Sequence, residues 1–274
     1  MAALQCPHPT SVFFFRMKPS RIFFGASAIL FGVIALLWHD ADTWQNLHQL
    51  FKLPLGVVIP LGLMTLQIAG GLGILIPRSA RPAALLLCFV YICFMLACVP
   101  AIVAAPAAYG SYPNFFEQLS ILCGALALYA ATTASVASPG ALGHAVPLGF
   151  VRPKFARPKF IRLGFGLATI SFTLTQIVYF RFTMAAVPRW IPPNQKFWAI
   201  LTTVAFALAA LAILINRHAR LALRLTALMT ALFGALVWVP ALVVHPKSHS
   251  RWSEFALTLL IAGAAWLLAD LKPF

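Results

Sequence analysis

The chain has 274 residues, of which 62% are hydrophobic and only 9% are charged. A soluble globular protein carries about 25% charged residues. This chain has too few charged residues to form a water-exposed surface around a core of its size. The composition excludes a soluble domain and indicates a protein whose exterior faces lipid. The net charge of +15 falls in short clusters between apolar segments, which is typical of membrane topology signals and argues against nucleic-acid binding.

Long apolar segments recur along the whole chain. A bilayer core about 30 Å thick needs roughly 20 apolar residues of helix to cross it. The sequence therefore predicts an all-α membrane protein with eight transmembrane helices. We expect them at 22–38, 53–76, 83–105, 115–134, 163–183, 196–215, 221–244 and 253–269.

Basic residues indicate how these spans are oriented. An even number of spans puts both termini on one side of the membrane. If that side is the cytoplasm, the inner segments hold 14 Lys and Arg residues and the outer segments hold six. The excess of positive charge on the inner side predicts a multi-pass protein of a bacterial inner membrane, with residues 1–20 as a cytoplasmic tail and the C-terminus also cytoplasmic.

Two pairs of similar segments indicate an internal repeat. GGLGILIPRSAR at 70–81 and AALAILINRHAR at 209–220 are identical at seven of twelve positions, and VPAIVAAP at 99–106 matches VPALVVHP at 239–246 at five of eight. Both pairs are separated by 139 or 140 residues, which is typical of duplication. We therefore expect two tandem four-helix bundles in parallel orientation, at 21–134 and 162–274, joined by a basic Pro- and Gly-containing cytoplasmic linker at 135–161.

The repeat carries two motifs of structural interest. Each half has an R-x-A-R turn between its second and third spans, and we expect these arginines to anchor lipid headgroups; they are Arg78, Arg81, Arg217 and Arg220. Pro100 and Pro240 lie late in the third and seventh spans. Proline removes a backbone donor and kinks a helix, so both spans are predicted to bend there, either as a packing feature or to open a cavity.

Two of the five acidic residues lie at the starts of the last spans, one in each half. Glu117 precedes the fourth apolar segment and Glu254 the eighth, near the outer surface. One interpretation is structural, because the dipole at a helix N-terminus stabilises a carboxylate. The other is functional: a proton-handling or polar-substrate group at the mouth of each bundle.

Other polar candidates are few. His39 and Asp40 lie in the loop after the first span and are ligand or proton-handling candidates, but no zinc-binding spacing surrounds them, so no metal site is predicted. Gln176 is one of the few polar side chains inside a span and is a third such candidate.

Several of these features resemble the DoxX-like family of integral membrane proteins. They are the arginine before the first span, the small residues before the R-x-A-R turn, the VPAxV segment in span three and VPRWIP at 187–192. The resemblance covers about 21–270 as a tandem pair. Relatives often have a histidine before a Val-Tyr pair in span five, whereas this chain has Gln176 ahead of Val178 and Tyr179.

The resemblance implies a four-helix unit that serves in some relatives as the membrane subunit of a thiosulfate–quinone oxidoreductase and in others within oxidative-stress complexes. Our first hypothesis is therefore a membrane subunit of a redox complex that binds quinone or a small apolar ligand and contacts a soluble redox partner; quinone is the one cofactor candidate, and the sequence establishes none with certainty. The alternatives are a small-solute carrier or channel, and a membrane scaffold for a soluble partner. Whether the chain is an enzyme, and its oligomeric state, stay open.

The orientation has a direct test. A reporter enzyme fused after residue 145, within the basic linker, is expected to report the cytoplasm, because the inner segments contain most of the Lys and Arg residues. A periplasmic signal from this fusion would reverse the orientation.

Overall fold

The computed structural model describes residues 17–38, 56, 58–136 and 157–271, except the side chains of 134–136. Eight helical segments in these ranges are long and apolar enough to cross a membrane, as predicted, and the described residues contain no strand. We number them as spans one to eight. Their bounds are Pro19–Trp38, Val58–Leu75, Ala80–Ala104, Tyr109–Thr133, Pro158–Val178, Gln195–Leu214, Ala219–Val244 and His249–Ala269.

Spans three and seven are interrupted at corresponding places. Span three consists of the helices Ala80–Ala97 and Val99–Ala104. Span seven consists of the helix Ala219–Phe233, a π-helical segment Gly234–Trp238 and the helix Val239–Val244. Pro100 and Pro240 lie at the starts of the two final helices. Because proline has no N–H to donate to the preceding turn, the regular ladder fails just before it.

Several helices differ in extent from the sequence prediction, most clearly in spans four and five. Span four contains the helix Pro113–Val136, preceded by a 3-10 turn at Tyr109–Ser111, and span five begins at Pro158. Both helices start at a proline, whose fixed φ suits the first helical position, so they begin earlier than expected. Span five ends at Val178, and a short separate helix, Phe180–Ala186, follows it.

The spans form a closed ring that is divided across its middle. Consecutive spans pack against each other, and span one packs against span eight. Spans four and eight also pack together, which separates a first lobe containing spans one to three from a second lobe containing spans five to seven. Exchanging spans one to four with spans five to eight leaves this pattern of neighbours unchanged. Each half therefore contacts the other through its first and last spans.

Glycines allow the central spans to approach closely. A Cβ added at Gly124 of span four would lie 2.6 Å from the Cβ and 2.8 Å from the Cα of Ala264 in span eight. A Cβ added at Gly263 would lie 3.0 Å from the Cα of Phe24 in span one. Small residues at crossing points let helix backbones meet, and this is a main source of helix association in lipid.

In each half, an arginine at the start of the first span caps the end of the second span in the same way. Arg21 Nε donates to the carbonyl of Ile74 at the end of span two. Arg162 Nη1 donates to the carbonyl of Ile213 and, at 2.9 Å, to that of Leu214 at the end of span six. The last carbonyls of a helix lack intrahelical donors and carry the negative end of the dipole, so a guanidinium is a suitable cap.

The turns that follow spans three and seven also share their geometry. Ala105 ends the third span with φ −141° and ψ 67°, and His245 ends the seventh with φ −131° and ψ 69°. Tyr112 Oη donates to the Pro106 carbonyl at 2.7 Å, while Trp252 Nε1 donates to the Pro246 carbonyl at 2.9 Å. All three pairs of positions are 140 residues apart.

The crossing of spans four and eight can be tested by adding one methyl group. We expect Gly124→Ala to lower the melting temperature in detergent by roughly 2–8 °C, because overpacking costs about 1–3 kcal/mol. Gly62→Ala is the matched control, since a Cβ at Gly62 meets nothing within 4 Å. Thermal unfolding followed by circular dichroism makes the comparison; equal melting temperatures for the two variants would contradict the close crossing.

Candidate functional site

A cleft in the second lobe brings together three residues that the sequence picked out. Glu117, Glu254 and Gln176 all line it, although they lie on spans four, eight and five. Its volume is about 230 Å³. We call it the acidic cleft. The other lining residues are Phe172, Thr175, Phe182, Thr183, Ala186, Phe206, Thr230, Phe233, Val237, Trp238, Thr258 and Ile261.

The two carboxylates share this cleft because spans four and eight are neighbours. Sequence reasoning put one glutamate at the mouth of each bundle. The structure instead puts both at one site, since the two spans cross at Gly124 and Ala264, two to three helical turns beyond the glutamates. Glu117 is half-buried and Glu254 is exposed.

Neither glutamate lies in the first turn of its helix. The helices start at Pro113 and His249 and contain no acidic residue in their first turns. The dipole effect falls off within the first turn. The interpretation that each glutamate is stabilised by a helix dipole assumed spans beginning at 115 and 253. Because the helices begin earlier, at Pro113 and His249, both glutamates lie beyond the first turn and this interpretation is weakened.

The surroundings of the carboxylates are apolar and lack positive charge. None of the cleft's lining residues is a lysine, arginine or histidine. Among the described residues, neither carboxylate accepts a hydrogen bond or forms an ion pair. Two unpaired carboxylates beside an apolar surface form an acceptor-rich patch, which favours a ligand that brings hydrogen-bond donors or a positive charge.

Gln176 lines the cleft from span five, and its side-chain amide contacts two threonines of span six. Thr203 Oγ1 lies 2.8 Å from Gln176 Oε1 and 2.7 Å from the Ala199 carbonyl, so its one hydrogen serves both acceptors, and Thr202 Oγ1 lies 3.4 Å from Gln176 Oε1. The side-chain NH2 of Gln176 has no acceptor among the described residues. The amide can therefore donate to a carbonyl or hydroxyl oxygen of a ligand.

The interrupted part of span seven supplies one wall. Val237 and Trp238 come from the π-helical segment before Pro240 and line the cleft. Trp238 Nε1 donates to Thr258 Oγ1 at 3.1 Å, and Thr258 Oγ1 donates to the Glu254 carbonyl at 2.7 Å. Short π-helical segments occur often at functional sites. Here the segment fixes an indole next to the glutamate-bearing helix.

A tyrosine ties the start of span four to span five. Tyr109 Oη donates to the Ser171 carbonyl at 2.7 Å and lies 2.9 Å from Thr175 Oγ1.

Sequence reasoning missed Tyr109, Trp238 and the helix Phe180–Ala186. Thr258 could have been picked out from the sequence, since it follows Glu254 by one helical turn and therefore lies on the same face of span eight.

The first lobe is filled at its centre. Phe31, Tyr91 and Phe94 are at most 2% exposed, and they pack with Met64 in the buried core. Gln67 is also buried, and its Nε2 donates to the Ala28 carbonyl at 3.1 Å. The two lobes therefore have different interiors in spite of their matching pattern of neighbours.

The remaining predicted residues lie elsewhere. Arg78 and Arg217 are exposed at the turns. The Arg81 guanidinium lies 5.9 Å from the centre of the Tyr129 ring, and Arg220 Nη2 donates to the Leu271 carbonyl at 2.9 Å. The second arginine of each turn thus contacts the far end of the last span of its half, an internal contact that the anchoring prediction did not include.

His39 and Asp40 lie outside the described residues. The part of the chain that the structure describes contains no cluster of three or more His, Cys, Asp or Glu residues placed to hold a metal ion.

Comparisons of the chain with known protein families, with curated proteins and with solved structures found no match. The resemblance to DoxX-like proteins therefore stays a prediction, and the class defined by the fold is that of an α-helical membrane protein with eight spans.

Proposed function

We propose that the acidic cleft binds a small, largely apolar molecule that carries hydrogen-bond donors, and that Glu117 and Glu254 accept those hydrogen bonds and receive protons from the ligand. The observation that carries the proposal is the meeting of two unpaired carboxylates and Gln176 in one cleft with aromatic walls. Apolar pockets with a few convergent polar groups are typical of ligand sites. Ionisable residues within membrane spans most often serve function.

The reduced head group of a quinone, a quinol, has the required chemistry. Its ring suits the phenylalanine and tryptophan side chains of the cleft, and its two hydroxyl groups are donors for two carboxylates. Oxidation of a quinol by the soluble redox partner passes two electrons to that partner and releases two protons, which the glutamates are placed to accept. A small anion such as thiosulfate does not suit this cleft, because no lining residue is cationic.

The architecture and setting belong to the same proposal. We place the protein in a bacterial inner membrane with both termini in the cytoplasm, as a duplicated DoxX-like membrane subunit of a redox complex with a soluble partner. The matching arginine caps at Arg21 and Arg162 and the matching turns after spans three and seven support duplication. Parallel halves follow from four spans in each.

The test uses the full-length protein in mild detergent. Bound small molecules are first identified by mass spectrometry, and binding of decylubiquinol is then titrated by quenching of tryptophan fluorescence. We expect saturable binding that weakens about tenfold in each of Glu117→Gln and Glu254→Gln, since hydrogen bonds to charged groups contribute about 1.5–3 kcal/mol.

Asp270→Asn is the matched control. Asp270 lies at the other end of span eight, where it accepts a hydrogen bond from Ser20 Oγ at 2.6 Å, so quinol binding is expected to stay unchanged. Near-normal expression of Glu117→Gln, Glu254→Gln and the double variant is expected for a functional role, whereas loss of folded protein would indicate a structural one. No bound quinone, no saturable quenching and unchanged quinone turnover in membranes lacking the protein would refute the proposal.

A carrier for a small organic cation is the second candidate. Aromatic side chains beside two carboxylates attract such cations, and the interruption of span seven at Gly234–Trp238 is a feature of transporter helices. Proteoliposomes loaded with tetraethylammonium, an organic cation that crosses lipid poorly by itself, distinguish the two candidates. Release that is faster than from loaded protein-free vesicles, and that is abolished by Glu254→Gln, would favour the carrier; equal release rates would favour the redox subunit.

A further inference from the structure

Span seven has an apolar cleft on each side along its inner half. The larger, about 490 Å³, lies between spans six and seven. The smaller, about 300 Å³, lies between span seven and spans one and eight, and Arg224 is its one charged lining residue. Leu228 lines both. Several leucines that line the larger cleft are more than 45% exposed, which places it on the lipid-facing exterior; they are Leu208, Leu221, Leu225, Leu228 and Leu232.

The larger cleft arises where the two halves differ in sequence. In the first half, Leu87 of span three fills the space against Gly70 of span two, and a Cβ added at Gly70 would lie 2.6 Å from Leu87 Cδ2. The counterparts in the second half, 139 residues later, are Ala209 and Thr226, which both line the cleft. Compared with the contact between Gly70 and Leu87, Ala209 adds a methyl group to span six and Thr226 puts a shorter side chain on span seven. Spans six and seven therefore leave a gap where spans two and three are in contact.

The length of the cleft matches one leaflet of a bilayer. Its lining residues on span seven run from Leu221 to Leu232, which is about 16 Å of helix. Half of the hydrocarbon core is ~15 Å thick. The cleft therefore reaches from the inner interface to the middle of the membrane, as an acyl chain does.

Positive charge gathers at the inner end of both clefts. Arg217 lies in the turn before span seven, Arg220 lies in the first turn of that span, and Arg224 follows one helical turn later with an exposed side chain. Arg220 contacts the Leu271 carbonyl. Arg224 has no counter-charge or hydrogen-bond acceptor among the described residues. Its counterpart in the first half is Leu85, an exposed apolar residue, so the charge is specific to the second half.

A buried hydroxyl adds a polar feature to the larger cleft. Thr226 is 1% exposed, and its Oγ1 has no hydrogen-bond partner in the described protein. An unpaired buried hydroxyl costs free energy. Because Thr226 is almost fully buried, its hydroxyl lies within the wall of the cleft and is not a contact for the lipid.

We infer that span seven holds one anionic diacyl phospholipid, with its phosphate at Arg224 and Arg220 and its acyl chains in the two flanking clefts. Arginine binds phosphate through paired N–H donors, and basic sites between helices on the inner side of a membrane recognise anionic lipids. The two clefts flanking one cationic helix match the two chains and single phosphate of such a lipid. This site is separate from the acidic cleft and does not depend on its ligand.

Native mass spectrometry of the full-length, delipidated protein tests this inference. The probes are dioleoyl phosphatidylglycerol, which is anionic, and dioleoyl phosphatidylcholine, which has no net charge. We expect one phosphatidylglycerol to be retained about tenfold more strongly than phosphatidylcholine, and Arg224→Gln to remove this preference by a similar factor. Arg224→Lys, which keeps the charge, is expected to restore part of it.

Two further variants separate the head group from the chains. Arg189→Gln is the matched control, because Arg189 is an exposed arginine in the loop before span six, at the end of that span remote from Arg224, and this variant is expected to retain lipid as the unaltered protein does. Ala209→Phe fills the larger cleft and is expected to reduce retention of both lipids.

Three outcomes would overturn the inference. They are equal retention of the two lipids by the unaltered protein, retention of phosphatidylglycerol by Arg224→Gln at the original level, and a stable dimer that excludes lipid from the clefts. A folded protein is confirmed for each variant by its helical circular dichroism.

Discussion

The close crossing of spans four and eight is the constraint on which the rest of the structure depends. Gly124 faces Ala264 with no room for another methyl group. Lipid offers no hydrophobic driving force between helices, so association depends on close backbone packing. This crossing divides the ring of spans into two lobes and places the N-terminal parts of both glutamate-bearing helices beside the same cleft.

The shared cleft changes the chemistry available to the glutamates. A single carboxylate at the mouth of each bundle is one acceptor near the membrane surface. Two carboxylates at one apolar cleft, together with the amide of Gln176, are a convergent set of polar groups. The absence of a lining cation leaves hydrogen-bond donors or positive charge for the ligand to supply. This is why we propose a quinol, or an organic cation, rather than an anion.

The two halves repeat their framework and differ in their cavities. Arg21 and Arg162 cap the ends of spans two and six alike, and the turns at Ala105 and His245 have nearly the same backbone angles. Side-chain volume then separates the lobes. Leu87 closes one helix pair where Thr226 leaves a cleft, while Phe31, Tyr91 and Phe94 fill the first lobe's core. The two halves thus share the geometry of their helix ends and differ in the space between their helices.

Composition and periodicity by themselves determined the number and type of the spans, because a membrane core requires long apolar helices. They also indicated Glu117, Glu254 and Gln176, since polar groups inside spans are costly and rare. The helix starts at Pro113 and Pro158 were missed, because apolar length does not mark where a proline begins a helix. Only the tertiary structure decided that both glutamates face one cleft and that span seven is flanked by two others. Those features depend on which helices are neighbours and on differences in side-chain volume as small as one methyl group. The hydrophobic pattern of a single segment contains neither kind of information.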